Sequence, residues 1–218
     1  MIYLYYSILA IVSYLIGNIN FGRIISKIRH VDVTKSGSGN PGTLNVWRTS
    51  GFWPGIFTFV FDMLKGLAVT LMGYFCLPLL GCNAEIALFL AGFFVILGHI
   101  FPVFTKFKGG KGIATSIGVF LVANWWLSLI LFVVMIVGMV IIKYASIFTI
   151  GFVLISCLVE ICLCNPANWI NYLLISGILC LVVYAHRENI KRLIAGKENP
   201  TELLKMVKKL GKKKENKE

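Results

Sequence analysis

Three segments of the chain concentrate residue types that can hold and move charged groups. Residues 35–48 read KSGSGNPGTLNVWR. Their glycines and Pro41 can bend the backbone so that successive N–H groups converge on an anion. Ser38, Asn40, Thr43 and Asn45 add neutral donors, and Arg48 adds a planar bidentate one. Gly37, Gly39 and Gly42 formally spell a dinucleotide fingerprint with Asp62 downstream. That fingerprint needs a strand before it and a sheet-packed helix after it. Here an apolar run precedes it and Asp62 sits inside another, so only the anion-binding physics survives.

Residues 98–115 read GHIFPVFTKFKGGKGIAT. Thr105 and Gly112 stand where a Walker A loop requires Gly and Ser or Thr, so this is not a P-loop. Gly109, Gly110 and Gly112 nevertheless surround Lys111 and lead directly into a helical run at Ile113. A glycine turn, a lysine and a helix N-terminus make a phosphate site. The third segment, residues 186–193, reads HRENIKRL. His186 and Asn189 share a helical face there, while Arg187, Lys191 and Arg192 suit lipid headgroups. His186 fits three readings: an interfacial side chain, a base, or a phosphate ligand. A basic connector would explain either glycine-rich loop alone; two on one face favour phosphate.

The elements that must position these loops are membrane helices. The chain of 218 residues is 58% hydrophobic and 14% charged, too apolar to cover a water-soluble domain. Apolar runs occupy residues 2–22, 52–80, 84–104, 113–142, 146–163 and 169–185. Each suits a span of ~20 residues except 113–142, where Asn124, Trp125 and Trp126 read as an interfacial turn. Splitting the run there gives an all-α integral membrane protein of about seven transmembrane helices, with the N-terminus outside and the C-terminus cytosolic. With that topology 20 of the 21 Lys and Arg face the cytosol, as the positive-inside rule asks. The net charge of +12 then orients the chain on anionic lipid and calls for no nucleic acid. One transmembrane domain over residues 1–200 and a basic tail over 201–218 complete the division, with no internal repeat. The first run lacks a basic leader and a small-residue cleavage site, so it reads as a retained helix.

The remaining cation, Lys65, follows Asp62 by three residues, a spacing at which the two pair on a helix. Such a pair either ties helices together or lines a polar cavity; Glu160 is open to the same choice. The six Cys show no metal-ligand spacing and read as small buried hydrophobes, with Cys76 and Cys82 alone placed for a disulfide.

The three segments, with FDMLKG between the first two, resemble the motifs of the bacterial acyl-phosphate-dependent glycerol-3-phosphate acyltransferases, the PlsY family. The resemblance runs in order along nearly the whole chain. It implies transfer of a fatty acyl group from acyl phosphate to the sn-1 hydroxyl of glycerol 3-phosphate. The products are lysophosphatidic acid and phosphate, at the inner face of the bacterial cytoplasmic membrane. It also implies roles: Ser38 and Arg48 as the family's essential serine and arginine, and Gly109, Gly110, Lys111 and Gly112 as its phosphate loop. His186 and Asn189 match its important histidine and asparagine, and Glu198 a structural glutamate. The chain departs from the family at Asn18 and Asn20, in place of a serine and a proline, and at Thr43 and Leu44.

The chemistry suits these parts. Acyl phosphate carries its own leaving group, so direct displacement needs only two held anions, an eased proton loss and a stabilised oxyanion. Ser38 and Asn189 are candidates for orienting or oxyanion groups; His186 is a base or a positioner, with the substrate phosphate as the alternative base. No metal or nucleotide cofactor is expected. An H-x-x-x-x-D pair is absent, since Lys35, Phe104 and Lys191 follow His30, His99 and His186 at that spacing. The competing reading is an organic-phosphate or anion transporter, which would place its site near the midplane between repeats.

Overall fold

The computed structural model describes residues 1–201 and Leu203. The residues beyond, where the basic tail was expected, lie outside the described residues. Among the described residues ten α-helices follow in order: α1 (Ile2–Gly17), α2 (Phe21–Ile28), α3 (Thr43–Ser50), α4 (Phe52–Cys76), α5 (Ala84–Ile100), α6 (Ile113–Ala123), α7 (Trp125–Ile142), α8 (Ala145–Leu163), α9 (Trp169–Ala185) and α10 (Arg187–Ile194).

The stretches Ile2–Ile28, Phe52–Leu80, Ala84–Thr105, Trp125–Ile142 and Ala145–Leu163 are each long and apolar enough to cross a membrane. α9 and α10 qualify together across a 60° bend. α6 has 11 residues. At 1.5 Å per residue it reaches ~16 Å, about half the hydrocarbon thickness. The long apolar run breaks at Asn124, whose side chain accepts from the Leu127 N–H at 3.4 Å and starts α7.

α5 is the most enclosed of these helices, packed by α1, α4, α6 and α9. Val95, Ile96, Val119, Phe120, Phe152, Ile175 and Val182 form the centre. Ile130, Val133, Val134, Leu158 and Leu173 instead point outward. An apolar exterior of this extent suits lipid, where the helical backbone satisfies its own hydrogen bonds. All six cysteines are free thiols, so the pairing open to Cys76 and Cys82 is not made.

α4 and α6 cross closely enough that small residues are required at the contact. A Cβ added at Gly118 would stand 2.1 Å from the Met63 carbonyl oxygen, a backbone atom that cannot swing away. Gly118→Ala is therefore expected to lower stability by about 1–3 kcal/mol, read as a fall in Tm of the detergent-solubilised protein. An unchanged Tm would mean that the crossing is looser than this.

The first apolar run stops earlier than its composition suggests, and it does so without a proline. Asn18 turns its Nδ2 back onto the Tyr14 carbonyl at 2.6 Å and accepts the Val103 N–H on Oδ1 at 2.5 Å. Asn20 accepts from the Arg23 N–H at 2.9 Å and caps α2. Two asparagines thus make the break and stitch it to the loop after α5. Tyr14 donates to the Phe101 carbonyl at 3.0 Å and Arg23 to the Lys108 carbonyl at 2.8 Å, extending that seam.

Candidate active site

The first glycine-rich loop is organised from within by Asn45, a buried residue on α3. Its Oδ1 accepts the Ser38 N–H at 2.8 Å, and its Nδ2 donates to the carbonyls of Val33 and Ser36 at 3.1 and 3.0 Å. Both amide functions are consumed by the loop, so Asn45 is its brace and not the phosphate donor expected from its type. Asn40 is partly spent too, its Oδ1 accepting the Gly42 N–H at 3.2 Å. Ser38 and Arg48 are left exposed, Ser38 on the loop and Arg48 on α3. α3 is seated on α4 by Trp47, whose ring meets Phe52 edge-on at 4.9 Å.

In the second loop Gly109 and Gly110 spend their N–H groups within the protein. The Gly109 and Gly110 N–H groups donate to the carbonyls of Ile100 and His99, each at 3.1 Å. They pin the loop to the end of α5. Gly112, at φ +85°, turns the chain into α6 in a conformation that disfavours a side chain. Among the described residues the N–H groups of Lys111 and Gly112 have no hydrogen-bond partner, so the donors the loop can offer are these two and the Lys111 ammonium.

That ammonium is already committed to the third segment, donating to Asn189 Oδ1. Asn189 Nδ2 donates in turn to Ser146 Oγ at 2.9 Å and to Glu198 Oε1 at 2.6 Å. Glu198 also accepts from Ser146 Oγ at 2.6 Å and from Arg192 Nε at 2.8 Å. Burial alone would raise the Glu198 carboxyl; the bonds from Ser146, Asn189 and Arg192 outweigh it and hold the group below its ordinary range. Burial draws the Lys111 ammonium down to about 8, with Glu198 resisting and Arg192 assisting.

His186, 2% exposed, sits where α9 bends into α10. Its Nδ1 lies 2.9 Å from the Val182 carbonyl. A carbonyl only accepts, so the proton resides on Nδ1 and the Nε2 lone pair stays free. Thr149 Oγ1 lies 3.5 Å from that nitrogen and donates to the Ser146 carbonyl at 3.2 Å. Ser146 and Thr149 were missed by sequence reasoning, although two hydroxyls one turn apart at the start of an apolar helix were a usable signal. Thr201 returns to this neighbourhood, its N–H donating to the Lys143 carbonyl at 2.5 Å.

Lys111, His186, Asn189 and Glu198 are therefore brought together with Ser146 and Thr149. Ser38 on the first loop and Arg48 on α3 share no direct hydrogen bond with that group among the described residues. α4 links the two: α3 packs on it beside the first loop, and α6, which follows the Lys111 turn, packs on it from the other part. The Asp62 and Lys65 side chains pair inside α4 as their spacing indicated, Nζ to Oδ1 2.7 Å. No three His, Cys, Asp or Glu residues among the described ones converge on a common point suited to a metal.

The chain as a whole has close counterparts. The sequence model of the glycerol-3-phosphate acyltransferase family matches residues 7–196. The glycerol-3-phosphate acyltransferase of Clostridioides difficile (strain 630) is 40% identical over 194 residues, 88% of this chain and 94% of that protein. That of Aquifex aeolicus (strain VF5) is 36% identical over 191 residues, 88% and 96% of the two chains. Two crystal structures of PlsY (YgiH), an integral membrane glycerol 3-phosphate acyltransferase, have the same fold. The glycerol 3-phosphate form superposes with a TM-score of 0.81 and the lysophosphatidic acid form with 0.79. Each is 33% identical, covering 93% of this chain and 98% of that one.

Proposed function

The chain belongs to the glycerol-3-phosphate acyltransferase family, and from that premise we propose that this multi-pass membrane acyltransferase uses acyl phosphate as its donor. The fatty acyl group passes to the sn-1 hydroxyl of glycerol 3-phosphate and yields lysophosphatidic acid and inorganic phosphate. The observation that carries this reading is Lys111, an ammonium on a glycine turn at a helix N-terminus, joined to Asn189, which stands three residues after His186.

Lys111, with the N–H groups of residues 111 and 112 and the dipole of α6, binds the phosphate of glycerol 3-phosphate. Arg48 on α3 and Ser38 on the loop before it hold the acyl phosphate, whose chain lies among the helices. His186 Nε2 accepts the sn-1 hydroxyl hydrogen bond and aims the oxygen at the acyl carbon. The new C–O ester bond forms as the carbonyl-to-phosphate C–O bond breaks. The hydroxyl proton leaves on the phosphate, the group that gains basicity as it departs. No covalent acyl-enzyme is needed. The same orientation is supported by the 20 of 21 Lys and Arg that one topology places on the loop face. It gives seven helices, an outer N-terminus and a site facing the cytosol from a bacterial cytoplasmic membrane. The family match gives the anion-transporter reading no support.

Purified protein supplied with glycerol 3-phosphate and acyl phosphate is expected to release lysophosphatidate and phosphate in equal amounts. Acyl-CoA in place of acyl phosphate is expected to give neither. Product from acyl-CoA alone would replace the donor assignment, and product from neither would end the enzymatic reading.

A further inference from the structure

Under the Lys111 loop lies a buried cluster that the proposed reaction leaves without a task. Lys65, Asp62 and His99 are 5%, 2% and 4% exposed. The Lys65 ammonium spends its three N–H donors on the Gly17 and Ile19 carbonyls at 3.2 and 2.7 Å and on His99 Nδ1 at 2.9 Å, and pairs as an ion with Asp62 Oδ1 at 2.7 Å. Gly17 is the last residue of α1 and Ile19 lies in the break that follows, so the ammonium sits at the negative end of the α1 dipole. Lys65 thus closes α1 from another helix.

Its effect on His99 is set by elementary donor chemistry. An ammonium can only donate, so Nδ1 of His99 accepts and the ring proton is on Nε2. That nitrogen faces the glycine loop: a Cβ on Gly110 would lie 2.2 Å from it, and a Cβ on Gly109 would lie 2.0 Å from the His99 carbonyl. The His99 carbonyl also accepts the Gly110 N–H. The loop is therefore laid directly on His99, one residue before Lys111. On its other side the same loop is stitched by Tyr14, Asn18 and Arg23 to the α1 break that Lys65 closes. Both supports run through one ammonium.

We propose that Lys65 is a positioning residue for the phosphate site, holding the 109–112 loop and hence Lys111 in register for glycerol 3-phosphate through His99 and the α1 break. This rests on the reading of Lys111 as a ligand of that substrate. Without the ammonium, Asp62, whose Oδ1 is 3.5 Å from His99 Nδ1, becomes the neighbour that attracts the ring proton. The imidazole changes tautomer and turns, and the loop shifts with it.

Lys65→Met and His99→Phe, the latter keeping a ring but losing the acceptor nitrogen, test this in purified enzyme that elutes as a single folded species. Both are expected to raise the KM for glycerol 3-phosphate by about tenfold or more, since a misplacement on the order of an ångström suffices for such losses. kcat is expected to change less. A purely structural role would lower Tm and yield while leaving the KM of the folded enzyme at its wild-type value. That result, with Lys111→Ala run in parallel losing substrate affinity, overturns the positioning role. Unchanged affinity in Lys111→Ala would instead remove the loop from the substrate site. If Lys65→Met does not survive solubilisation, His99→Phe decides by the same KM.

Discussion

Lys111→Ala is expected to lower kcat/KM for glycerol 3-phosphate by about a thousandfold, roughly 4 kcal/mol of transition-state stabilisation, with the fold intact. The ammonium is the single cation of its loop that the structure turns inward: Lys106 and Lys108 are exposed, whereas Lys111 is partly buried and bonded to Asn189. A charged donor in a site with little water is worth several times its value at a surface. The substitution opens no core cavity, since the side chain lies at the mouth of α6. Loss of activity with an unchanged Tm is therefore the expected pair of results; wild-type kcat/KM would remove Lys111 from the site.

The same residue sets a pH dependence whose sign can be worked out. Its folded value is drawn down to about 8, and the protonated form is the one that holds a phosphate. kcat/KM reports the free enzyme. It is expected to be level below that value and to fall as pH rises through it. Lys111→Arg keeps its charge throughout and is expected to lose this alkaline limb even if its longer fork lowers the plateau. A limb that stays in the arginine variant would assign the titration to another group.

Much of the candidate site's framework was open to reading from residue types, and the parts that were not share a cause. The chemistry of Lys111, the pairing of Asp62 with Lys65 and the break at Asn124 are local, decided within a helical turn or a glycine run. What escaped was the direction in which local groups are spent. Asn45 has the donors that a phosphate site wants, yet they close its own loop onto Val33 and Ser36. Gly109 and Gly110 supply flexible backbone, yet their N–H groups turn back to α5. Ser146 became part of the site only through residues 43 and 52 positions away, Asn189 and Glu198. Type and spacing name a donor; its partner depends on which distant helix arrives beside it.

Glu198 is the arrival on which most of the third segment depends, and Glu198→Ala is expected to cost both stability and turnover. Its carboxylate, with a side chain 6% exposed, accepts from Ser146, Asn189 and Arg192 at once. Removing it strands these donors in a confined space, and hydrogen bonds to a charged group are worth about 1.5–3 kcal/mol each. Arg192 is 38% exposed and regains water, so a net loss of about 2–4 kcal/mol is expected. Asn189 keeps only Ser146 of the two acceptors that fix its amide, so its Oδ1 is held less firmly toward Lys111, and the KM for glycerol 3-phosphate rises with the loss of Tm. Glu198→Gln separates the two effects. Its amide oxygen can still accept from Ser146 and Asn189, while its NH2 meets the Arg192 donor head-on. Most activity is expected to return in that variant, with stability recovered only in part. The pH sign agrees: because the folded carboxyl lies below its ordinary value, its contribution is complete above that ordinary value. It is lost as pH falls through the depressed one. Glu198→Ala should flatten this acid limb of Tm against pH. Wild-type Tm and kcat/KM in Glu198→Ala would show that the return of the chain after α10 is not what holds Asn189 against Lys111.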